Sequence, residues 1–400
     1  MPRTKHPCQF GLFAIATLLL LQAATTAWGQ PGKQPPGAKP APTPRAESLE
    51  SLLGGPEESA PSDRLAGTPN MFGDFLPHGI GLSASDIFAS ANASIPVAGG
   101  CRRVKIAENN GPLPQDRVYF LYNHFENALQ ADASQFRVGP AMRGYAIDRY
   151  SFGFEKTFLD RRWSAELRMP LCSQMEFDTP NFGVQGGSVG NLALILKRKV
   201  YESDNTCVAI GLGVDFPTGS DARGFVNDTE FIFRNRSVHL LPYVGVVNRP
   251  GCRFFWEAFL QVDVPANGAP IDYRDSYEGD GTFGILNDQT LLYGDVAVGY
   301  WLHRNPCASF FTGVAGLLEL HYTSTLQDTD SVSGFFYMPA ATAFTFSNLA
   351  NRVDQLNLTV GLHTEILNRT ICRVGGVLPL RTGDDRAFDA EVQIQLERRF

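Results

Sequence analysis

The chain has 400 residues, a formal net charge of −7 and 44% hydrophobic residues. It is long enough to bury a core and too apolar to be disordered throughout. Mild acidity without a basic stripe argues against a nucleic-acid partner.

Residues 1–29 read as a cleaved secretory signal. Arg3 and Lys5 give the charged start, residues 10–21 the apolar segment, and Ala27-Trp28-Gly29 the small-residue cleavage site. The apolar segment is too short to span a bilayer as a helix, and no later stretch holds about eighteen uninterrupted apolar residues. The mature chain is therefore expected to be exported, and either soluble or a β-barrel. Residues 30–70, with runs such as PGKQPPGAKPAPTPR, read as a disordered Pro-rich linker. Residues 71–113 are mixed. Ile95-Pro96-Val97 and Val104-Lys105-Ile106 read as short strands around the Gly99-Gly100 turn, in a piece that is either periplasmic or a plug.

From residue 114 to the end the chain becomes alternating segments of about ten residues. These are 117–125, 149–158, 163–171, 191–201, 207–216, 238–247, 252–264, 291–302, 307–322, 353–364, 371–378 and 387–400. About twelve strands, an even number, predict an all-β fold: a closed antiparallel transmembrane β-barrel. The link 159–162 makes the second and third segments a hairpin, with Glu155 opposite Glu166 and diagonal to Arg168. Links after even-numbered strands are short (LDRR, ESDNT, NRPG, HRNP, LNR), whereas those after odd-numbered strands are mostly long and polar. Outer-membrane barrels segregate their turns in this way. The last strand (AFDAEVQIQLERRF) alternates throughout except at Arg398, and Phe400 reads as a terminal assembly signal for the barrel assembly machinery.

Period-2 parity sorts side chains between lipid and lumen. The predicted lumen-lining charged set is Arg149, Glu155, Glu166, Arg168, Lys197, Lys199, Arg253, Glu257, Asp263, Asp295, Glu319, His321, His363, Glu365, Asp389, Glu391 and Glu397, with His239 on the same parity. Its excess of acids over bases predicts weak cation preference in an open bore. His321 and His363, on neighbouring strands with Glu319 and Glu365 nearby, make either a hydrogen-bond ladder or an acid–base or metal site. The predicted cofactor and metal content is none. Of the six cysteines after the signal, Cys207, Cys252, Cys307 and Cys372 each begin an outgoing strand. Strands two apart lie about 9–10 Å from each other, beyond disulfide reach. Residues 186–190 match GxSxG but lead into a strand rather than a helix, so they lack the setting of a nucleophile elbow. Acidic loop stretches such as Asp328-Thr329-Asp330-Ser331, 275–281 and Asp384-Asp385 lack EF-hand spacing.

The strings RVYFLYNHFENAL, GLGVDFPTGSD, FLQVDVPANG, ELHYTSTL and VLPLRTGDDRAFDAEVQIQLERRF resemble barrel proteins of planctomycete-type bacteria. Those are similar to the group labelled meta-pathway phenol-degradation proteins. The resemblance spans roughly residues 95–400. It implies an outer-membrane channel or transporter for small solutes, aromatic or hydrophobic compounds among them, in a Gram-negative-type envelope, with no catalytic residues. The alternatives are a structural or adhesive barrel with a filled lumen and an outer-membrane hydrolase.

Overall fold

The structure, a computed structural model, describes residues 65, 67–74, 79–85, 90–96, 98, 103–132, 143–173, 176–179, 182–337, 341–347 and 351–400. The expected signal, the linker as far as residue 64, Gly99-Gly100 and Cys101 lie outside the described residues. Residues 61–400 belong to one compact unit.

A hairpin, β1 (Gly79–Ser85) and β2 (Ser90–Pro96), precedes the barrel. The barrel strands are β3 (Arg117–Asp132), β4 (Arg143–Phe158), β5 (Trp163–Cys172), β8 (Leu192–Glu202), β9 (Thr206–Phe216), β12 (His239–Asn248), β13 (Phe254–Pro265), β16 (Leu291–Arg304), β17 (Phe311–Thr325), β20 (Asp354–Ile366), β21 (Thr370–Pro379) and β22 (Ala390–Arg399). Four further pairs fold inside the long loops: β6 (Glu176–Thr179) with β7 (Phe182–Gln185), β10 (Ala222–Val226) with β11 (Thr229–Phe233), β14 (Ala269–Asp275) with β15 (Gly279–Leu286), and β18 (Ser331–Phe336) with β19 (Thr342–Ser347). Each of the twelve barrel strands pairs antiparallel with the next, and β22 closes on β3 from Ala390↔Glu126 to Arg399↔Arg117. Closure leaves the barrel without an edge. Glu155 stands opposite Glu166, as the alternation of the hairpin requires.

The wall is inverted relative to a soluble protein. Along β13, Leu260 and Val264 are exposed while Glu257, Gln261 and Asp263 are buried. The same parity exposes Leu167, Leu196, Ile210, Val244, Val296, Val298, Leu318, Val360, Val374 and Ile394 around the outside. An apolar patch of that extent marks a surface that water does not cover. The inner face is built from charged and aromatic side chains, several of which lie flat across a glycine on the next strand. A Cβ on Gly153 would stand 2.0 Å from the Tyr119 ring, and one on Gly211 would stand 2.3 Å from that of Tyr243. Glycine on these strands is thus a consequence of close aromatic approach.

The short turns gather on one rim and the long loops on the other. Residues 305–310, expected to begin a strand at Cys307, form one of the short turns instead, and Cys307 and Cys252 are exposed. Cys207, Cys252, Cys307 and Cys372 are free thiols, and Cys172 is disulfide-bonded. At the long-loop rim the sheet continues past β3 as β2-β1-β19-β18. A second sheet, β15-β14-β11-β10-β7-β6, packs on it to make a lid. Phe231 is the centre of the lid core, with the rings of Phe346, Phe344 and Phe283 at 4.8, 4.9 and 5.5 Å. Leu82 of β1 is part of the same core.

Candidate functional site in the bore

The segment before β3 runs through the barrel. Leu65 packs with Cys207, Val247 and Leu113 at the short-turn rim. Residues 67–74 lead from there along the bore towards the β1–β2 hairpin at the long-loop rim. Residues 103–111 return and reach β3 at Arg117. Inside the bore the two limbs bond to each other, Met71 N to Asn110 O at 3.0 Å and Asn109 N to Phe72 O at 3.1 Å. Leu65, Thr68 and Asn70, which fall within the stretch read as linker, are buried. Val104-Lys105-Ile106 is not a strand, since a turn begins at Ile106, whereas Ile95-Pro96 ends β2.

Polar contacts with the wall hold this inner segment. Glu319 takes the backbone N–H groups of Phe72 (2.7 Å) and Gly73 (2.9 Å). Gln261 accepts from Ile106 N at 2.7 Å and donates to Val104 O at 2.9 Å. Asn357 donates to Asp74 at 2.7 Å. The ion pairs divide by side. On β13 and β16, Asp263 and Asp295 receive Arg103 (2.7 Å) and Lys105 (2.8 Å) from the inner segment. On β4 and β5, Arg149 and Arg168 receive its Glu108. Each wall thus faces inner-segment charge of the opposite sign. Phe72 fills a slot over Gly361 and Gly375, a cross-strand pair, with the Arg373 guanidinium 5.7 Å from the ring centre.

Of the lumen set, Arg149, Glu155, Glu166, Arg168, Lys197, Glu257, Asp263, Asp295, Glu319, His321, His363, Glu365, Glu391 and Glu397 are buried on the inner face, as is His239. Lys199 is half-buried near the short-turn rim and pairs with Glu202. Two positions differ from the expectation. Arg253 is exposed in the turn before β13, and Asp389 is exposed ahead of β22, where it pairs with Arg386 at 2.5 Å. The reason is shared: strict alternation was extended past the ends of the ladder, where the chain is no longer extended. Phe388, on lipid parity by the same count, is buried against Phe125 at 5.4 Å.

Two wall arginines are missing from the set. Arg117 bridges Glu155 (2.6 Å), Glu397 (3.0 Å) and Glu166 (3.2 Å), and Arg373 lies 3.3 Å from Glu397. Both strands carry apolar residues on both faces, so their alternation gives no clear inner parity. The signal available was the unpaired excess of acids opposite them.

His321 and His363 are not brought together. His321 joins Asp295 (2.7 Å), Glu319 (3.1 Å) and Asp74 (3.6 Å), whereas His363 lies 3.6 Å from Glu365 on its own strand. Asp74, Asp295 and His321 are close enough to share a cation, and the Lys105 ammonium bonds to both aspartates. The Ser188 side chain is exposed in a loop whose backbone carbonyl bonds Cys172 N at 2.9 Å; a strand, not a helix, follows it. Several loop acids hold protein groups: Asp275 takes Thr229, Asp330 takes Asn287, and Asp328 pairs with Arg352.

A closed, edge-free barrel with an apolar exterior and a charged interior defines the class: a transmembrane β-barrel, its bore occupied by its own N-terminal segment. No family model and no curated protein matches the sequence. Among solved structures, an outer membrane channel from Pseudomonas putida F1 is similar at 9% identity over 74% of this chain and 100% of that one, with a TM-score of 0.44. The Pseudomonas putida toluene transporter TodX is similar at 9% identity over 82% and 98%, TM-score 0.38, and the NanC porin at 10% over 71% and 98%, TM-score 0.38. Likeness this distant says nothing of what the chain carries.

Proposed function

We propose that this protein is an outer-membrane transport barrel, closed at rest by residues 67–74 and 103–111, that passes small solutes when this segment shifts. The observation that supports it is the polar, ion-paired packing of segment against wall. A permanent filler has no need of charge, since buried ion pairs are seldom more stabilising than apolar side chains of the same volume. Charged groups suit a bore that water enters. Glu257 Oε2 and the His363 ring nitrogens are buried without a hydrogen-bond partner among the described residues, which is unfavourable unless the site has a use for them. Aromatic or hydrophobic compounds are the solutes implied by the family resemblance. The signal, the bilayer partner and recognition of Phe400 by the assembly machinery belong to the same reading; Phe400 stacks on Phe154 at 6.0 Å, where the outer face begins.

A second reading is a structural or adhesive barrel that displays its lid. It is favoured by the pairing of β1 with β19 from Gly81↔Ser347 to Ser85↔Ala343, which anchors the inner segment in the lid. Membrane fractionation followed by solute uptake into liposomes separates the readings. Transport predicts detergent-dependent recovery from the outer membrane and measurable uptake. Recovery as a soluble periplasmic protein defeats both readings, and an inert membrane barrel favours the second.

A further inference from the structure

The inner segment places two cations, Arg103 and Lys105, two residues apart, and each enters a wall pocket with the chemistry of cation recognition. The Arg103 guanidinium donates to Asp263 Oδ2 at 2.7 Å and to the carbonyl of Gln289 at 3.5 Å, with Asp288 at 3.9 Å. His239 lies beside it, 2.6 Å from Asp263 and 3.1 Å from Asp288. The Lys105 ammonium donates to Asp295 at 2.8 Å and stands 5.2 Å from the centre of the Tyr293 ring. His321 lies 2.7 Å from the same carboxylate. A carboxylate beside an aromatic face is a setting suited to an ammonium group. Asp295 Oδ2 is buried without a hydrogen-bond partner among the described residues, so the ammonium pocket has acceptor capacity that Lys105 leaves unused.

We propose that this wall of β13 and β16 is a binding site for a small organic cation bearing ammonium or guanidinium groups, and that Arg103 and Lys105 occupy it as an internal stand-in. The inference rests on the transport reading and narrows its solute class. Asp263 stands opposite Leu291 and Asp295 opposite Phe259, four residues further along the ladder, so the two carboxylates are carried roughly 13 Å apart along the strand direction. A small cation therefore takes one pocket at a time, and the Asp295 pocket, with its unused acceptor, is the one open to it. Binding would displace the inner-segment cations, so the same event would loosen the closed state.

The test uses the full chain in detergent and titrates 4-aminobutylguanidine by calorimetry, with tetramethylammonium as control. Wild type should bind the probe weakly, because Lys105 competes. Lys105→Gln, which removes the ammonium and keeps a hydrogen-bonding side chain, should bind it at least tenfold more tightly. Asp295→Asn should abolish binding. Unchanged affinity in Lys105→Gln, or equal binding of tetramethylammonium, would overturn the proposal. If Asp295→Asn fails to fold, judged by loss of its heat-dependent gel shift, the Lys105→Gln titration decides alone. Because the readout is binding, a positive titration with no liposome uptake would keep the site and remove the transport reading. Uptake of neutral solutes with no probe binding would do the reverse.

Discussion

Glu319 Oε1 accepts the backbone N–H of Phe72 at 2.7 Å while Oε2 accepts that of Gly73 at 2.9 Å, so one wall carboxylate satisfies two consecutive donors of the inner segment. Hydrogen bonds to a charged acceptor are worth about 1.5–3 kcal/mol. Glu319→Gln retains one acceptor and should weaken the grip by about that amount. The check is proteolysis from the short-turn rim: cleavage within residues 67–74 should accelerate, with the barrel still folded.

The Phe72 slot gives a prediction with a built-in control. A Cβ on Gly361 would stand 2.3 Å from the Phe72 ring, and one on Gly375 would stand 3.0 Å from it. Gly361→Ala should displace the ring and lower the thermal transition. Adding Phe72→Ala should restore part of the loss, because the clash disappears. If the double variant is less stable than the sum of the single losses, the slot has been misassigned.

The outer face can be tested with one charge. Val298 is exposed and its neighbour Ala297 is buried on the inner side. Arginine on the lipid face near the midplane costs about 2–4 kcal/mol. Val298→Arg should therefore depress folding into bilayers by that amount, whereas Val298→Leu should leave it unchanged. Reversible unfolding in liposomes by denaturant measures both.

Acid should loosen the lid. Burial works against ionisation of Asp275, but its bonds from Thr229 Oγ1 and from the N–H groups of Tyr277 and Glu278 outweigh it and hold its pKa below the ordinary 3.8. Asp272, bonded by Arg234 and Thr282, is lowered likewise. A carboxylate whose pKa is lower in the folded state contributes stability that is complete above its unfolded value and is lost as pH falls through the folded one. Lid protection, read by hydrogen exchange over β11 and β14, should hold down to about pH 4 and fall below it. Asp275→Asn should flatten that dependence.

Alternation made the twelve strands legible because a two-sided wall imposes period 2 along its length. It failed at Arg253 and Asp389, where the ladder stops, and was silent at Arg117 and Arg373, where glycine or apolar residues occupy both faces. Which of its two expected places, periplasm or bore, the segment before the barrel takes was not legible. The two limbs inside the bore, residues 71–74 and 103–111, carry no long alternating run, since their partners are wall side chains contacted one at a time rather than a strand ladder. Asp74 meets Asn357 across 283 positions of sequence, a relation that no local pattern encodes. The lid hairpins were hidden for a related reason. Their strands are short, and their common core around Phe231 draws from five separate segments of the chain.

Planar-bilayer conductance under a salt gradient tests most directly whether the inner segment closes the bore. Wild type should show rare, brief openings. Glu319→Gln combined with Phe72→Ala should show sustained current with cation preference, reduced at high salt by screening and lowered further when Glu257 and Glu391 become Gln. Steady large conductance in wild type would contradict closure by residues 67–74 and 103–111, and silence in every variant would contradict transport.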